Sequence, residues 1–239
     1  MLSALEQLLL PAECALCHQL LGDREASHLT CAVCRHRFRP VRAPWCERCG
    51  QPEPHFGPCR LCVDWPAALQ TVRSAVWLAE GAQQAVYALK YDGLARIADD
   101  LALVMAPLRP RSDAAAALIP IPLASKRLRA RGYNQSELLA RALARAWRIP
   151  VLPDLLIRTR ETPTQTALTP GTRLANVRAA FAVANVQRSM INDHWTLIIV
   201  DDVFTTGATL AEAARALEQA GATTIHGVTF ARAAIPDFT

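Results

Sequence analysis

The sequence predicts an α/β fold built on a parallel sheet, preceded by a small cysteine-rich module of double zinc-ribbon type. Three observations predict it. From Leu197 the chain reads LIIVDDVFTTGATL, a β-branched apolar run followed by two carboxylates, a Thr/Gly turn and an amphipathic helix, and a further strand resumes at 223–231. All eight cysteines lie before residue 63, in four Cys-x-x-Cys pairs, and the remainder of the 239-residue chain has none. With 51% hydrophobic residues the chain can build a proper core, so the cysteines mark a separate module within a normally packed protein. The expected organisation is a module at 1–66 and an α/β domain at 67–239.

No stretch approaches the ~20 apolar residues of a membrane span, and Met1 to Leu10 lacks the basic start and small-residue cleavage site of a signal peptide. A cytoplasmic location without membrane insertion is expected. The net charge of +5 is modest for this length and does not by itself demonstrate a nucleic-acid partner.

Taken in order, residues 2–10 read as a short apolar helix ended by Pro11. The pairs Cys14/Cys17, Cys31/Cys34, Cys46/Cys49 and Cys59/Cys62 follow. Each pair presents two sulfurs on one turn, so two pairs complete a tetrahedral S₄ site suited to Zn²⁺, and four pairs make two structural sites. Thirteen residues separate the first two pairs and nine the last two; sequential pairing is expected, with interleaved pairing as the alternative. A Pro- and Arg-rich stretch of this size would struggle to bury a core of its own, so zinc supplies folding energy rather than catalysis. His18, His28, His36 and His55 read as solvated, and the arginines of the module, Arg48 among them, either meet nucleic acid or serve solubility.

Arg73 to Ala79 alternates as a strand, Gln83 to Leu89 is helical, and Tyr91-Asp92-Gly93 breaks that helix before a second with Leu94, Ile97, Leu101, Val104 and Met105 on one face. Lys90, at the break, is either a favourable helix-end charge or a phosphate contact from above the site. Ala114 to Pro122 is a core strand stopped by alternating prolines. A constrained loop is expected over 123–135, carrying Lys126, Arg127, Arg129 and Arg131. Asn134 and Glu137 then make a capping pair for a helix through Trp147. Seven Lys/Arg against one Glu over 123–149 can attract pyrophosphate or a nucleic-acid backbone. The Thr-, Pro- and Gly-bearing stretch from Leu155 to Phe181 is either a lid, with Thr162, Gln165, Arg173 and Asn176 reaching a ligand, or an exposed connection.

In the 197–210 motif, Gly207 lets the backbone approach an anion, Thr205, Thr206 and Thr209 add hydroxyl donors, and the helix start carries partial positive charge. Asp201 and Asp202 can accept from vicinal ribose hydroxyls or hold a hard cation such as Mg²⁺. Asp before a helix is also a common cap, so the spacing alone is compatible with a purely local role. The complete string resembles the phosphoribosyl diphosphate (PRPP) motif of type I phosphoribosyltransferases.

The paired Cys-x-x-Cys motifs, LKYDG at 89–93, IPIPL with RLRARGYNQSELLARALA at 119–144, TPTQTALTPGTRLANVRAAF at 162–181 and IIVDDVFTTGATL at 198–210 together resemble the ComF family of competence proteins, over nearly the whole chain. The resemblance implies a type I phosphoribosyltransferase fold with an N-terminal zinc module. It implies PRPP, with Mg²⁺, on Asp201, Asp202 and the loop Val203, Phe204, Thr205, Thr206, Gly207, Ala208 and Thr209. The IPIPL stretch is similar to the pyrophosphate loop of amidophosphoribosyltransferases, which assigns the diphosphate to Lys126 and Arg127. The family role implied is handling or use of incoming single-stranded DNA, with a DNA-uptake helicase as partner. A Mg²⁺-dependent transferase of unknown acceptor is one expected activity; a non-catalytic DNA-binding or PRPP-sensing adaptor is the alternative.

Overall fold

The computed structural model describes residues 12–52, 59–112, 114–160, 179–184, 191 and 194–234. The expected helix at 2–10 and His55 lie outside the described residues.

Four strands, β1 (Leu69–Trp77), β2 (Ala115–Pro120), β5 (Trp195–Phe204) and β6 (Thr224–Arg232), form one sheet in the order β1-β6-β5-β2, every neighbouring pair parallel. β5 sits in the middle and is buried on both faces, which is why Leu197 to Val200 reads as a continuous apolar run. Alternation along it feeds two cores. Ile198 and Val200 meet the helices α2 (Glu80–Tyr91), α3 (Ile97–Met105) and α5 (Gln135–Trp147), through Leu89, Ile97, Leu101, Leu139, Leu143 and Trp147. Leu197 and Ile199 face α6 (Ala208–Gln219), through Leu210, Ala214 and Leu217, and beyond it the end of the cysteine module. A two-stranded antiparallel ribbon, β3 (Leu156–Arg158) with β4 (Phe181–Val183), packs on the α6 side.

Two stretches depart from expectation in this part of the chain. β1 begins at Leu69 rather than Arg73, because Leu69 and Val72 are fully buried and a register shift between Leu69 and Thr71 interrupts the alternation that would have announced them. The stretch 123–135 is not all loop: Ser125–Arg131 is a helix, α4, made of good helix formers and ended by Gly132 at φ +82°.

The cysteine module, which carries the short helix α1 (Ala32–Arg37), is tied to the sheet by its backbone. Val41 N–H donates to Ala75 O at 3.1 Å, Trp77 N–H to Arg39 O at 2.8 Å and Val72 N–H to Arg48 O at 2.7 Å, so residues 39–48 cover the edge strand β1. Arg48, expected to be a surface cation, instead donates to the carbonyls of Cys62, Trp65, Pro66 and Leu69. His28 is likewise not a solvated imidazole. Its Nδ1 lies 2.5 Å from Asp100 Oδ1, while Oδ2 of this buried carboxylate accepts from the N–H groups of Leu29 and Thr30 and from the Thr30 hydroxyl.

Candidate functional site

The ladder between β2 and β5 ends at the Pro120–Val200 pair, after which Ile121 N–H donates to Val200 O and the prolines forbid further pairing. β5 continues to Phe204 with β6 alone beside it. Asp201 and Asp202 therefore lie within the strand, past the end of β2, rather than at its terminus as expected. A cleft of about 880 Å³ opens at that edge, bounded by α2, the end of β2, α4 and the start of α6.

Three side chains hold the two carboxylates. Ser136 Oγ donates to Asp201 Oδ1 at 2.9 Å, Gln135 Nε2 donates to Asp202 Oδ1 at 3.3 Å, and the Lys90 ammonium pairs with Asp202 Oδ2. Gln135 and Ser136 open α5, where Asn134 aims them: its Oδ1 accepts from Ser136 N–H at 3.1 Å and its Nδ2 donates to Ile121 O at 2.9 Å. The expected cap is half formed, because Glu137 accepts from Arg141 one turn on instead of closing the box.

The electrostatics divide the pair. Burial and the neighbouring Asp202 charge push the Asp201 carboxyl up to about 7. Burial acts the same way on Asp202, but the Lys90 ammonium outweighs it and holds that carboxyl below its ordinary value. Burial opposes the charge on Lys90, yet Asp202, helped by Asp201, raises its pKa. One ionised carboxylate and one proton-accepting neighbour thus share an open edge, an oxygen donor set that fits vicinal hydroxyls or a hard divalent cation.

The following loop is shaped by Gly207, at φ +76°. A Cβ there would lie 2.5 Å from Trp65 Cζ2 and 2.9 Å from Phe204 Cε2, so both the backbone conformation and the space require glycine. Val203, Thr205 and Thr209 line the cleft; Thr206 Oγ1 accepts from Ala208 N–H at 3.5 Å; Gly207 and Ala208 are buried at the start of α6. Phe204 faces away, 1% exposed, with the Arg232 guanidinium 4.0 Å from its ring centroid, and offers a ligand only its backbone.

The cations are distributed differently from the expected pair. Arg127 lines the cleft, whereas Lys126 is exposed on α4 and is not among the lining residues. Arg131 and Arg158 also line it. Arg158 donates to Pro122 O at 3.2 Å and stands 5.1 Å from the Phe181 ring; burial first, and Arg127 second, lower its pKa. Thr162, Gln165, Arg173 and Asn176 lie outside the described residues. Sequence reasoning missed Gln135, Ser136 and Arg158, and it offered Lys90 two roles without its partner. The LKYDG match was the one signal pointing at Lys90; the others are polar residues at element ends.

The cysteines resolve into two clusters, Cys14/Cys17/Cys31/Cys34 and Cys46/Cys49/Cys59/Cys62, with ligand atoms in each cluster within 4.8 Å of one another. Pairing is sequential. A tetrahedron with metal–sulfur bonds of about 2.3 Å has an edge of about 3.8 Å, and the sulfurs of Cys17–Cys31, Cys46–Cys62 and Cys49–Cys59 lie 3.8, 3.7 and 3.6 Å apart. The N–H groups of Cys31 and Cys34 donate to sulfur at 3.3 Å, to Cys14 and Cys31 respectively, as thiolate ligands require. Both clusters fit structural zinc. Among the described residues no helix is long and apolar enough to cross a membrane.

Comparison with known proteins finds two domain families along the chain. Residues 5–63 match a double zinc ribbon domain and 134–236 a phosphoribosyl transferase domain. The chain is 32% identical over 226 residues to DNA utilization protein YhgH of Shigella flexneri, covering 92% of this chain and 96% of that one. It is 30% identical over 201 residues to competence protein ComFC of Bacillus subtilis, covering 80% and 78%, and 38% identical over 117 residues to competence protein F of Haemophilus influenzae, covering 49% and 50%. A looser overlap exists with the solved glutamine PRPP amidotransferase of B. subtilis in complex with ADP and GMP, at TM-score 0.36 and 21% identity over 55% of this chain and 25% of that one. With a zinc ribbon and a phosphoribosyl transferase domain in one chain, aligned nearly end to end with a DNA utilization protein, the chain belongs to the ComF family.

Proposed function

We propose that the cleft binds PRPP with Mg²⁺ and that the protein serves the uptake or use of single-stranded DNA in the cytoplasm, as a phosphoribosyltransferase whose acceptor is to be identified. The observation that carries this reading is the Asp201/Asp202 pair held past the end of β2 at the mouth of a cleft that also receives the Gly207 loop and three arginines. The carboxylates accept from the ribose hydroxyls. The N–H groups and hydroxyls of 203–209 take the 5-phosphate at the start of α6. Arg127 and Arg158 face the diphosphate, with Lys126 at its solvent side. Asp201 and Asp202 would hold Mg²⁺, which would neutralise charge developing on the departing diphosphate.

In transfer, the C1–diphosphate bond breaks as the acceptor's nucleophile bonds to C1. The acceptor's proton goes to solvent or to a neighbouring base, and the arginines hold the departing diphosphate. That relatives of this chain are named as a DNA utilization protein and a competence protein supports a role with DNA, and a DNA-uptake helicase is the protein partner the family resemblance suggests.

Equilibrium binding of PRPP in Mg²⁺ and in EDTA, with ribose 5-phosphate alongside, tests the site. Micromolar PRPP binding that needs the metal supports it, and binding no stronger than ribose 5-phosphate contradicts it. Pyrophosphate release on adding candidate acceptors separates a transferase from a PRPP sensor.

A further inference from the structure

α2 presents a stripe to solvent that the sugar-phosphate site does not use. Gln83, Tyr87 and Tyr91 follow one another at four-residue spacing, so they share one helix face. Tyr87 and Tyr91 are 57% and 58% exposed although large and aromatic, and their rings are 4.9 Å apart, tilted at 46°. The Arg131 guanidinium stands 5.3 Å from the Tyr91 ring centroid. All four residues line the wall of the cleft. Arg131 ends α4, whose seven residues carry four cations, Lys126, Arg127, Arg129 and Arg131, and no acid; Asp92 is the exposed acid beside Tyr91.

Exposed rings beside a file of cations match the two parts of a single strand of nucleic acid, unpaired bases that stack and phosphates that pair with arginine. A duplex, whose bases already stack on one another, offers the rings nothing. We infer that Tyr87, Tyr91 and Arg131 form a base-stacking platform for single-stranded DNA, with the strand's phosphates running along α4. The inference deepens the DNA role proposed above, which it takes as its source of ligand, by giving that ligand a surface.

The platform is joined to the carboxylates. Arg131 donates to Gln135 Oε1, Gln135 donates to Asp202, and Asp202 pairs with Lys90, the neighbour of Tyr91. A base seated on Tyr91 is therefore linked to the acidic pair through direct contacts, and the platform delivers the strand to the edge where PRPP is proposed to sit.

The test compares three fluorescent ligands on the 239-residue zinc-loaded protein: an oligothymidylate, an abasic oligonucleotide of equal length, and a duplex. Stacking contributes about tenfold or more per base, so the wild type should bind oligothymidylate at least about tenfold more tightly than the abasic strand. Tyr87→Ala and Tyr91→Ala should erase most of that preference, while Tyr87→Phe and Tyr91→Phe keep it, with zinc content and melting temperature reported for each variant. Equal binding of abasic and thymidylate strands by the wild type, or an undiminished preference in folded alanine variants, overturns the platform. PRPP binding measured on the same wild-type protein keeps the two readings apart. PRPP bound without base preference sinks the platform alone, and base preference without PRPP binding sinks the sugar-phosphate reading alone.

Discussion

Lys90, the penultimate residue of α2, forms an ion pair with Asp202 of β5 inside the cleft, and the two share little solvent: their side chains are 22% and 5% exposed. Removing the ammonium would strand a buried carboxylate next to Asp201. Losing one partner of a fully buried pair costs about 3–5 kcal/mol, and the partial exposure of Lys90 puts Lys90→Met nearer about 2–3 kcal/mol. Denaturant unfolding should show that loss. The double variant Lys90→Met/Asp202→Asn should recover most of it, and additive losses would contradict the pairing.

Asp201 sets a pH dependence of definite sign. Its carboxyl is raised to about 7 in the folded chain, against about 3.9 unfolded. Between those values the folded state holds the extra proton, so this group's contribution to stability is complete below pH ~4 and is lost as pH rises towards 7. Asp202, lowered in the fold, acts with the opposite sign and only below about pH 4. The melting temperature of Asp201→Asn minus that of wild type should therefore grow between pH 5 and 7.5. Parallel curves would contradict the assignment.

Gly207 should tolerate no side chain. Left-handed backbone costs an L-residue about 1–2 kcal/mol, and forcing a methyl against Trp65 and Phe204 adds about 1–3 kcal/mol. Gly207→Ala should lose about 2–5 kcal/mol in unfolding measurements. In a Trp65→Leu background the further loss from Gly207→Ala should be smaller, because the 2.5 Å contact is gone while the Phe204 contact and the backbone part remain.

The two zinc sites should differ in consequence. Cys49 and Cys62 belong to the core shared with Trp65 and β5, and buried Arg232 of β6 donates to Cys49 O at 2.9 Å and Gln51 Oε1 at 2.8 Å. Cys14, Cys31 and Cys34 form a small cluster of their own with Leu21. Cys17→Ser and Cys62→Ser should each lower bound zinc from two ions to one, yet Cys62→Ser should lower the melting temperature considerably more. Equal losses would mean that the second site is not part of the sheet's core.

The sheet is legible in the chain because its central strands are apolar runs with turn chemistry behind them: LIIV before Asp201, and Gly221 before β6. The two zinc sites are legible because Cys-x-x-Cys fixes two ligands locally and the spacing leaves few ways to combine them. What escapes is whatever is settled by contacts distant in sequence. Ser136 and Gln135 meet their aspartates across 65 and 67 positions, and His28 meets Asp100 across 72. Nothing in the local pattern of a helix start says that its first polar residues will face a carboxylate. The reading of 123–135 as loop failed for a different reason. The prolines before it do end a strand, but KRLRAR beyond them has helical propensity of its own, and a short helix needs only Gly132 to stop it. The result moves the cations onto one helix and separates Arg127 from Lys126 with respect to the cleft.

The central claim is that Asp201 and Asp202 form a sugar-phosphate site, and calorimetry of PRPP with Mg²⁺ against wild type and Asp201→Asn/Asp202→Asn tests it most directly. The wild type should bind at micromolar affinity and the folded, zinc-loaded double variant at least about a hundredfold more weakly, the order expected for losing two charged hydrogen-bond acceptors. Equal affinity in the two proteins, or no binding in either, would contradict it.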